Sequence, residues 1–149
     1  MEKVQKSLVL IKPDAVERKL VGKIISMYEE HGLNIAAMKL VKLDKTFAEI
    51  HYKEHKGKSF FNDLIKTITR SEIVAIVLQG ENAIEKIRRI NGNTNPEKAE
   101  EGTIRKMYAL NNTENSVHAS DCEESAEREI KLWFPELVAK EEWFSARNM

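Results

Sequence analysis

A single cysteine, Cys122, is all the thiol this chain has, which excludes an intrachain disulfide and any metal centre built from several thiolates. Neither sign of charge is in excess, with 24 Lys and Arg against 24 Asp and Glu. No global field therefore draws in nucleic acid or an anionic membrane, and an anion site has to come from local clustering. No apolar run approaches the roughly 20 residues of a membrane span. The start, MEKVQKSLVLIKPD, lacks the charged, apolar, small-residue order of a secretory signal. Internal repeats, low-complexity tracts and Ser/Gly linkers are also missing, so no domain boundary suggests itself. A soluble cytoplasmic protein folded as one domain, 1–149, with a proper hydrophobic core, is the expectation.

What is present reads as alternating strands and helices. Ser7 to Ile11 (SLVLI) is an apolar run stopped by Lys12-Pro13-Asp14, a buried strand ending in a turn. Val21, Ile24, Ile25 and Tyr28 recur at helical spacing, and Gly32 is a natural residue to end that helix. Ile35 to Leu43 has strand length. Phe47 with Ile50, then Phe60, Phe61, Leu64, Ile65 and Ile68, mark two short amphipathic helices. Ile73 to Leu78 (IVAIVL), β-branched and apolar throughout, is a strand. Ala83, Ile84, Ile87 and Ile90 predict another helix, closed by Gly92. A polar loop then runs to about Glu114, with a helical piece near Ile104. A short strand around Val117 and a helix opening at Ser120 or Asp121 complete the pattern, Ser120 and Glu123 having capping-box spacing. The order predicts an α/β (α+β) sandwich of the ferredoxin-like, split βαβ kind. Its four-stranded antiparallel sheet would carry helices over one face.

Two local patterns fail as motifs. Gly57-Lys58-Ser59 resembles the end of a phosphate-binding P-loop, but the glycine needed five residues earlier is Tyr52. His51 and His55 are spaced i, i+4, but a zinc hydrolase wants glutamate directly after the first histidine, where Tyr52 stands again. These two read as solvated helix histidines. The run NSVHASD, residues 115–121, is different. Nothing in it needs an imidazole for packing, since Val117 is its only sizeable apolar side chain and Ala119 leaves the ring open. His118 is either a surface or partly buried histidine before a helix, or a nucleophile or general base, and the rest of the chain decides between them. Lys12 at a strand end, Arg88 on a helix and Arg105 in the long loop each read, taken alone, as ordinary solvated charges; only together with Thr94, Asn115 and His118 do they form a more specific pattern.

Taken together, NSVHASD, LIKPDAV (10–16), GNTNPEKAEEGTIR (92–105) and ESAEREIKLWF (124–134) resemble the nucleoside diphosphate kinase family, in order and from about Ser7 to Phe134. The resemblance implies a ping-pong transfer of the γ-phosphoryl group from a nucleoside triphosphate to a diphosphate, through a phosphohistidine on His118. A neutral imidazole is a competent nucleophile near pH 7. Glu129 matches the residue that orients the histidine, and Ser120 would support that carboxylate or the phosphate. Lys12, Arg88 and Arg105 correspond to phosphate- and sugar-binding cations, Thr94 to a hydroxyl donor, and Asn115 to the partner of Lys12 on the ribose. Tyr52 matches a residue packed near the histidine. Phe60 matches the aromatic on which the base stacks, with Leu64 one helical turn away, which implies broad base acceptance. Magnesium would arrive on the nucleotide phosphates, without a protein cage. The resemblance also implies a homo-oligomer, a hexamer favoured over a tetramer.

The chain departs from the family pattern at Arg70-Ser71-Glu72, where many members carry Ser-Gly-Pro, and at Asn112, where an apolar residue often lines the base pocket. Cys122 stands at a usual serine position, and the tail PELVAKEEWFSARNM, of a kind that helps to set subunit contacts, matches weakly. Two rival readings are a nucleotide-binding regulatory member without catalysis and a phosphohistidine relay protein. The first would be marked by loss of His118, Lys12 or Arg105, and all three are present. The second would need neither a Phe60 platform nor a cation triad.

Overall fold

The computed structural model describes residues 3–137, and most of the tail after Phe134 lies outside them. β1 (Val4–Ile11) and β3 (Ile73–Glu81) form the centre of a four-stranded sheet ordered β2-β3-β1-β4. The edges are β2 (Asn34–Val41) and β4 (Val117–Ala119), and all neighbours run antiparallel. The helices are α1 (Pro13–Glu17), α2 (Val21–Glu30), α3 (Lys45–His51), α4 (Phe61–Thr69), α5 (Ala83–Asn91), α6 (Ile104–Tyr108) and α7 (Glu123–Trp133). Single 3-10 turns sit at Lys53–His55 and Pro96–Lys98. This is the expected split βαβ order.

One expectation changes. Helices cover both sheet faces, not one. Val9, Ile11, Val74, Ile76 and Leu78 meet Ile24 and Tyr28 of α2, Ile87 and Ile90 of α5, and Ile104 of α6. Leu8, Leu10, Ala75 and Val77 point the other way, onto α3, α4 and Trp133 of α7. The physical reason is in the strands themselves, since successive side chains face opposite ways. An unbroken apolar run such as IVAIVL is stable in water only if both faces are buried. Each fully buried Leu or Ile contributes about 1.5–3 kcal/mol of transfer free energy.

Boundaries differ where polar residues continue an element. β1 begins at Val4 because Val4, Gln5 and Lys6 still pair with Glu81, Gly80 and Gln79. At the end of α2, Gly32 takes φ 81° while its N–H and that of Leu33 bond the carbonyls of Glu29 and Tyr28, the left-handed stop read from sequence. α7 opens at Glu123, with Cys122 as its N-cap: the Ser125 N–H donates to Cys122 Sγ at 3.5 Å. Ser120 is therefore not the cap. Its N–H donates to the Leu8 carbonyl at 3.1 Å and its hydroxyl accepts the Leu8 N–H at 3.3 Å, so it belongs to the sheet edge.

Candidate active site

His118 lies on β4 opposite Leu10, where the sheet edge meets α7. Its Nε2 contacts both oxygens of Glu129, at 3.3 and 3.2 Å, and the Ser120 hydroxyl donates to Glu129 Oε1 at 2.7 Å. Glu129 is buried on the inner face of α7. Burial pushes its carboxyl up, but the hydrogen bond and charge of His118 and the Ser120 hydroxyl outweigh that and hold it below the ordinary value. An ionised carboxylate only accepts, so it fixes the neutral imidazole as the Nε2–H tautomer and leaves the lone pair on Nδ1.

Behind His118 stands His51, the clearest correction to the sequence reading. It is buried, not solvated, and its ring meets that of His118 edge-on, with centroids 4.8 Å apart. Trp133 Nε1–H donates to His51 Nδ1 at 3.1 Å. Desolvation, with the neighbouring His118, drives the pKa of His51 down to about 3, so it stays neutral and carries its proton on Nε2. His51, His118 and Glu129 bring ligand-type atoms within 4.8 Å of one another. A protonated Nε2 has no lone pair for a metal, however, and Nδ1 is taken by Trp133. The signal that finds His51 is helical phase: Ala48, His51 and Tyr52 recur at i, i+3, i+4 and are all buried, while Ile50 is 49 % exposed. Phe47 with Ile50 marked the helix but not its buried face.

In front of the histidine opens a cleft of about 1170 Å³ that Lys12, Tyr52, Phe60, Leu64, Arg88, Thr94, Arg105, Asn115 and His118 all line. Every nucleotide-site residue read from sequence is there, and Glu129 and Ser120 lie behind it. Lys12 follows β1 directly as the N-cap of α1, is 4 % exposed, and donates from Nζ to the Thr113 carbonyl at 2.6 Å and to Asn115 Oδ1 at 3.1 Å. Desolvation lowers its ammonium to about 8, with Asp14 opposing and Arg105 adding to the effect. Asn115 Nδ2 donates in turn to the carbonyls of Thr94 and Asn112, at 3.3 and 3.1 Å.

Arg105, on α6, donates to the Gly92 carbonyl at 2.8 Å and the Val117 carbonyl at 2.7 Å. Its pKa falls, by desolvation first and by nearby Arg88 after Tyr28, which opposes. Lys12 and Arg105, each depressed by burial and by a neighbouring cation, favour the binding of an anion. Thr94 and Arg88 are exposed at the same rim. Phe60 is 43 % exposed, its ring 5.3 Å from that of His55, with Lys58 Nζ 5.7 Å from its centre. His55, partly exposed on the 3-10 turn Lys53–His55, also lines the cleft. Tyr52 is buried beside His118, its phenol pushed up by desolvation and by Glu129.

The arrangement offers an imidazole held through Nε2, facing a cationic cleft with an exposed aromatic platform. Comparison with known proteins shows the family. The family model described as nucleoside diphosphate kinase matches residues 5–138. A nucleoside diphosphate kinase of Clostridium perfringens (strain SM101 / Type A) is 64% identical over 139 residues, covering 93% of this chain and 97% of that protein. One from Methanocaldococcus jannaschii is 52% identical over 132 residues, covering 89% and 94%. Among solved structures, an orthorhombic crystal form of the Aquifex aeolicus nucleoside diphosphate kinase superposes with a TM-score of 0.86 at 35% identity, covering 89% of this chain and 96% of that one. The apo Encephalitozoon cuniculi nucleoside diphosphate kinase gives a TM-score of 0.85 at 39% identity, covering 90% and 89%. The chain belongs to the nucleoside diphosphate kinase family.

Proposed function

We propose that the chain transfers the γ-phosphoryl group of a nucleoside triphosphate to a nucleoside diphosphate in two half-reactions, with His118 Nδ1 as the carrier. In the first, the Nδ1 lone pair attacks the γ-phosphorus, the bond to the β,γ-bridging oxygen breaks, and the diphosphate leaves. In the second, a terminal oxygen of the acceptor diphosphate takes the group back. As Nδ1 gives up its lone pair the ring becomes cationic, and the Glu129 carboxylate on Nε2–H stabilises that charge, itself held by Ser120. The observation that carries this reading is the Glu129–His118 contact through Nε2, which reserves the other nitrogen for chemistry.

Phosphoryl transfer asks the protein mainly for positioning and charge. Lys12, Arg105, Arg88 and Thr94 would take the phosphates, Lys12 with Asn115 the ribose, and Phe60 with Leu64 the base. A π-face platform is indifferent to base identity, which favours broad specificity. Magnesium fits as an ion carried by the nucleotide, because the cleft carboxylates are only Glu100 and Asp121, both exposed, and no cage forms among the described residues. Once bound it would neutralise phosphate charge, with those two acids available to its waters. We read the chain as one catalytic domain and a cytoplasmic protein; no described helix is long and apolar enough to cross a membrane. The apolar side chains that β2 leaves exposed support a homo-oligomer, and the preference for a hexamer over a tetramer rests on the family resemblance alone.

The test is His118→Ala. Transfer should fall by at least a thousandfold, roughly what loss of a covalent step costs, while ADP still binds by calorimetry. Transfer within about tenfold of the parent would remove His118 from the role of nucleophile.

A further inference from the structure

At the turn between α4 and β3, Arg70 grips two carboxylates from distant parts of the chain. Its Nε and Nη2 donate to Glu17 Oε2 and Oε1 at 3.1 and 2.8 Å, and the Ser71 hydroxyl adds a bond of 2.6 Å to the same carboxylate. Its Nη1 donates to Glu114 Oε1 at 2.5 Å. The chemistry described above uses none of these groups. These two residues, Arg70 and Ser71, also stand where the sequence departs from the family pattern.

Glu114 occupies a telling position. It lies between Thr113, whose carbonyl accepts from Lys12 Nζ, and Asn115, whose side chain accepts from the same ammonium. Its own N–H donates to Asn111 Oδ1 and its carbonyl accepts the Leu110 N–H, both at 2.8 Å, so it closes the turn. The segment between α6 and β4 has no helix or strand, and it ends at Ser116 with φ 73°, a left-handed conformation that is costly for a serine. One backbone bond, from the Lys12 N–H to the Ser116 carbonyl at 2.9 Å, anchors its end, and side-chain ties hold the rest. Arg18 holds its start through the Tyr108 carbonyl at 2.6 Å, and Asp14 holds its end through the Ser116 hydroxyl at 3.3 Å. Arg70 is a tie on the stretch that meets Lys12, beside the bond from Asn115 Nδ2 to the Thr94 carbonyl.

We propose that Arg70 is a positioning residue for nucleotide binding: its bridge from Glu17 to Glu114 holds Thr113 and Asn115 where they aim the Lys12 ammonium into the cleft. The inference rests on the reading that Lys12 and Asn115 hold the nucleotide. An isolated ion pair at this exposure is worth little, since solvent and salt screen it. Here one planar guanidinium serves two carboxylates, one through two N–H groups, which lowers the entropy spent per bond. The expected effect is accordingly modest and falls on affinity, not on the chemical step.

The experiment compares Arg70→Met, Glu114→Gln, their double variant and Lys12→Ala in steady-state transfer, at about 0.02 and about 0.5 M KCl. Both single variants should raise KM for the acceptor about three- to tenfold at low salt, with kcat within about twofold. The double variant should be no worse than either single one, and the gap from the parent should narrow at high salt. Melting temperatures should fall by no more than a few degrees, about the value of one such pair. A raised KM in Lys12→Ala beside an unchanged KM in both Arg70→Met and Glu114→Gln would overturn the role given to Arg70. So would a loss confined to Arg70→Met and matched by a large fall in melting temperature, which would mark Arg70 as a fold residue only. An unchanged KM in Lys12→Ala would instead overturn the reading of the site, and the proposal with it.

Discussion

Lys12 is the residue at which burial and ligand binding pull hardest against each other. Desolvation brings its ammonium down to about 8, whereas a bound phosphate favours the charged form. The sign follows. Raising pH through about 8 strips the proton from Lys12 in the nucleotide-free protein and removes a phosphate or ribose donor. kcat/KM should therefore decline above about pH 8, by up to tenfold per pH unit, while kcat at saturating nucleotide holds to higher pH. Lys12→Met should start lower and lose that limb of the profile. A kcat/KM profile flat to about pH 10 in the parent protein would mean that the ammonium is not what nucleotide meets. His51 shows the opposite outcome of burial: driven to about 3, it remains neutral through the working range and serves as a wall for His118.

Among the elements, the junction of α5 and α6 ties backbone geometry to the site. Gly92 caps α5 with φ 88°, and a Cβ there would lie 2.5 Å from Thr103 Oγ1. Thr103 is the N-cap of α6, accepting the Lys106 N–H, and the Gly92 carbonyl holds Arg105. Gly92→Ala should thus cost about 1–3 kcal/mol by urea denaturation and raise KM through a displaced Arg105. A stability change under about 0.5 kcal/mol would show that the junction yields freely. This glycine was legible in the sequence as a helix end, but its contact with Thr103 was not. The same division holds elsewhere. SLVLI and IVAIVL declare central strands because both faces are apolar, and NSVHASD with its companion blocks marks the site. His51 and the cap of α7 stayed hidden: the first depends on helix phase, and the second on Ser120 being claimed by Leu8 and Glu129. Arg70 was visible only as a departure, because its partners Glu17 and Glu114 are brought to it by the fold.

At the scale of the whole molecule, the site draws on β1, α3, α4, α5, α6, β4 and α7, so it exists only when the sheet is assembled with both layers of helices. The outer edge of that sheet is β2, which pairs only with β3 among the described residues and leaves Ile35, Met38 and Leu40 exposed at 37%, 52% and 58%. An apolar edge strand of this kind invites a second copy. Sedimentation velocity at micromolar protein should give a homo-oligomer, and Met38→Glu should shift it to smaller species; a monomer in the parent protein would contradict the assembly. The central claim, a phosphoryl group resting on His118 between two nucleotides, has a more direct test. The protein is incubated with γ-labelled ATP and magnesium, freed of nucleotide, and divided. The account predicts label that is lost in acid, kept in base, mapped to His118, and passed to added GDP as labelled GTP. Label that never forms on the parent protein, or that forms but is not discharged by GDP, would contradict it.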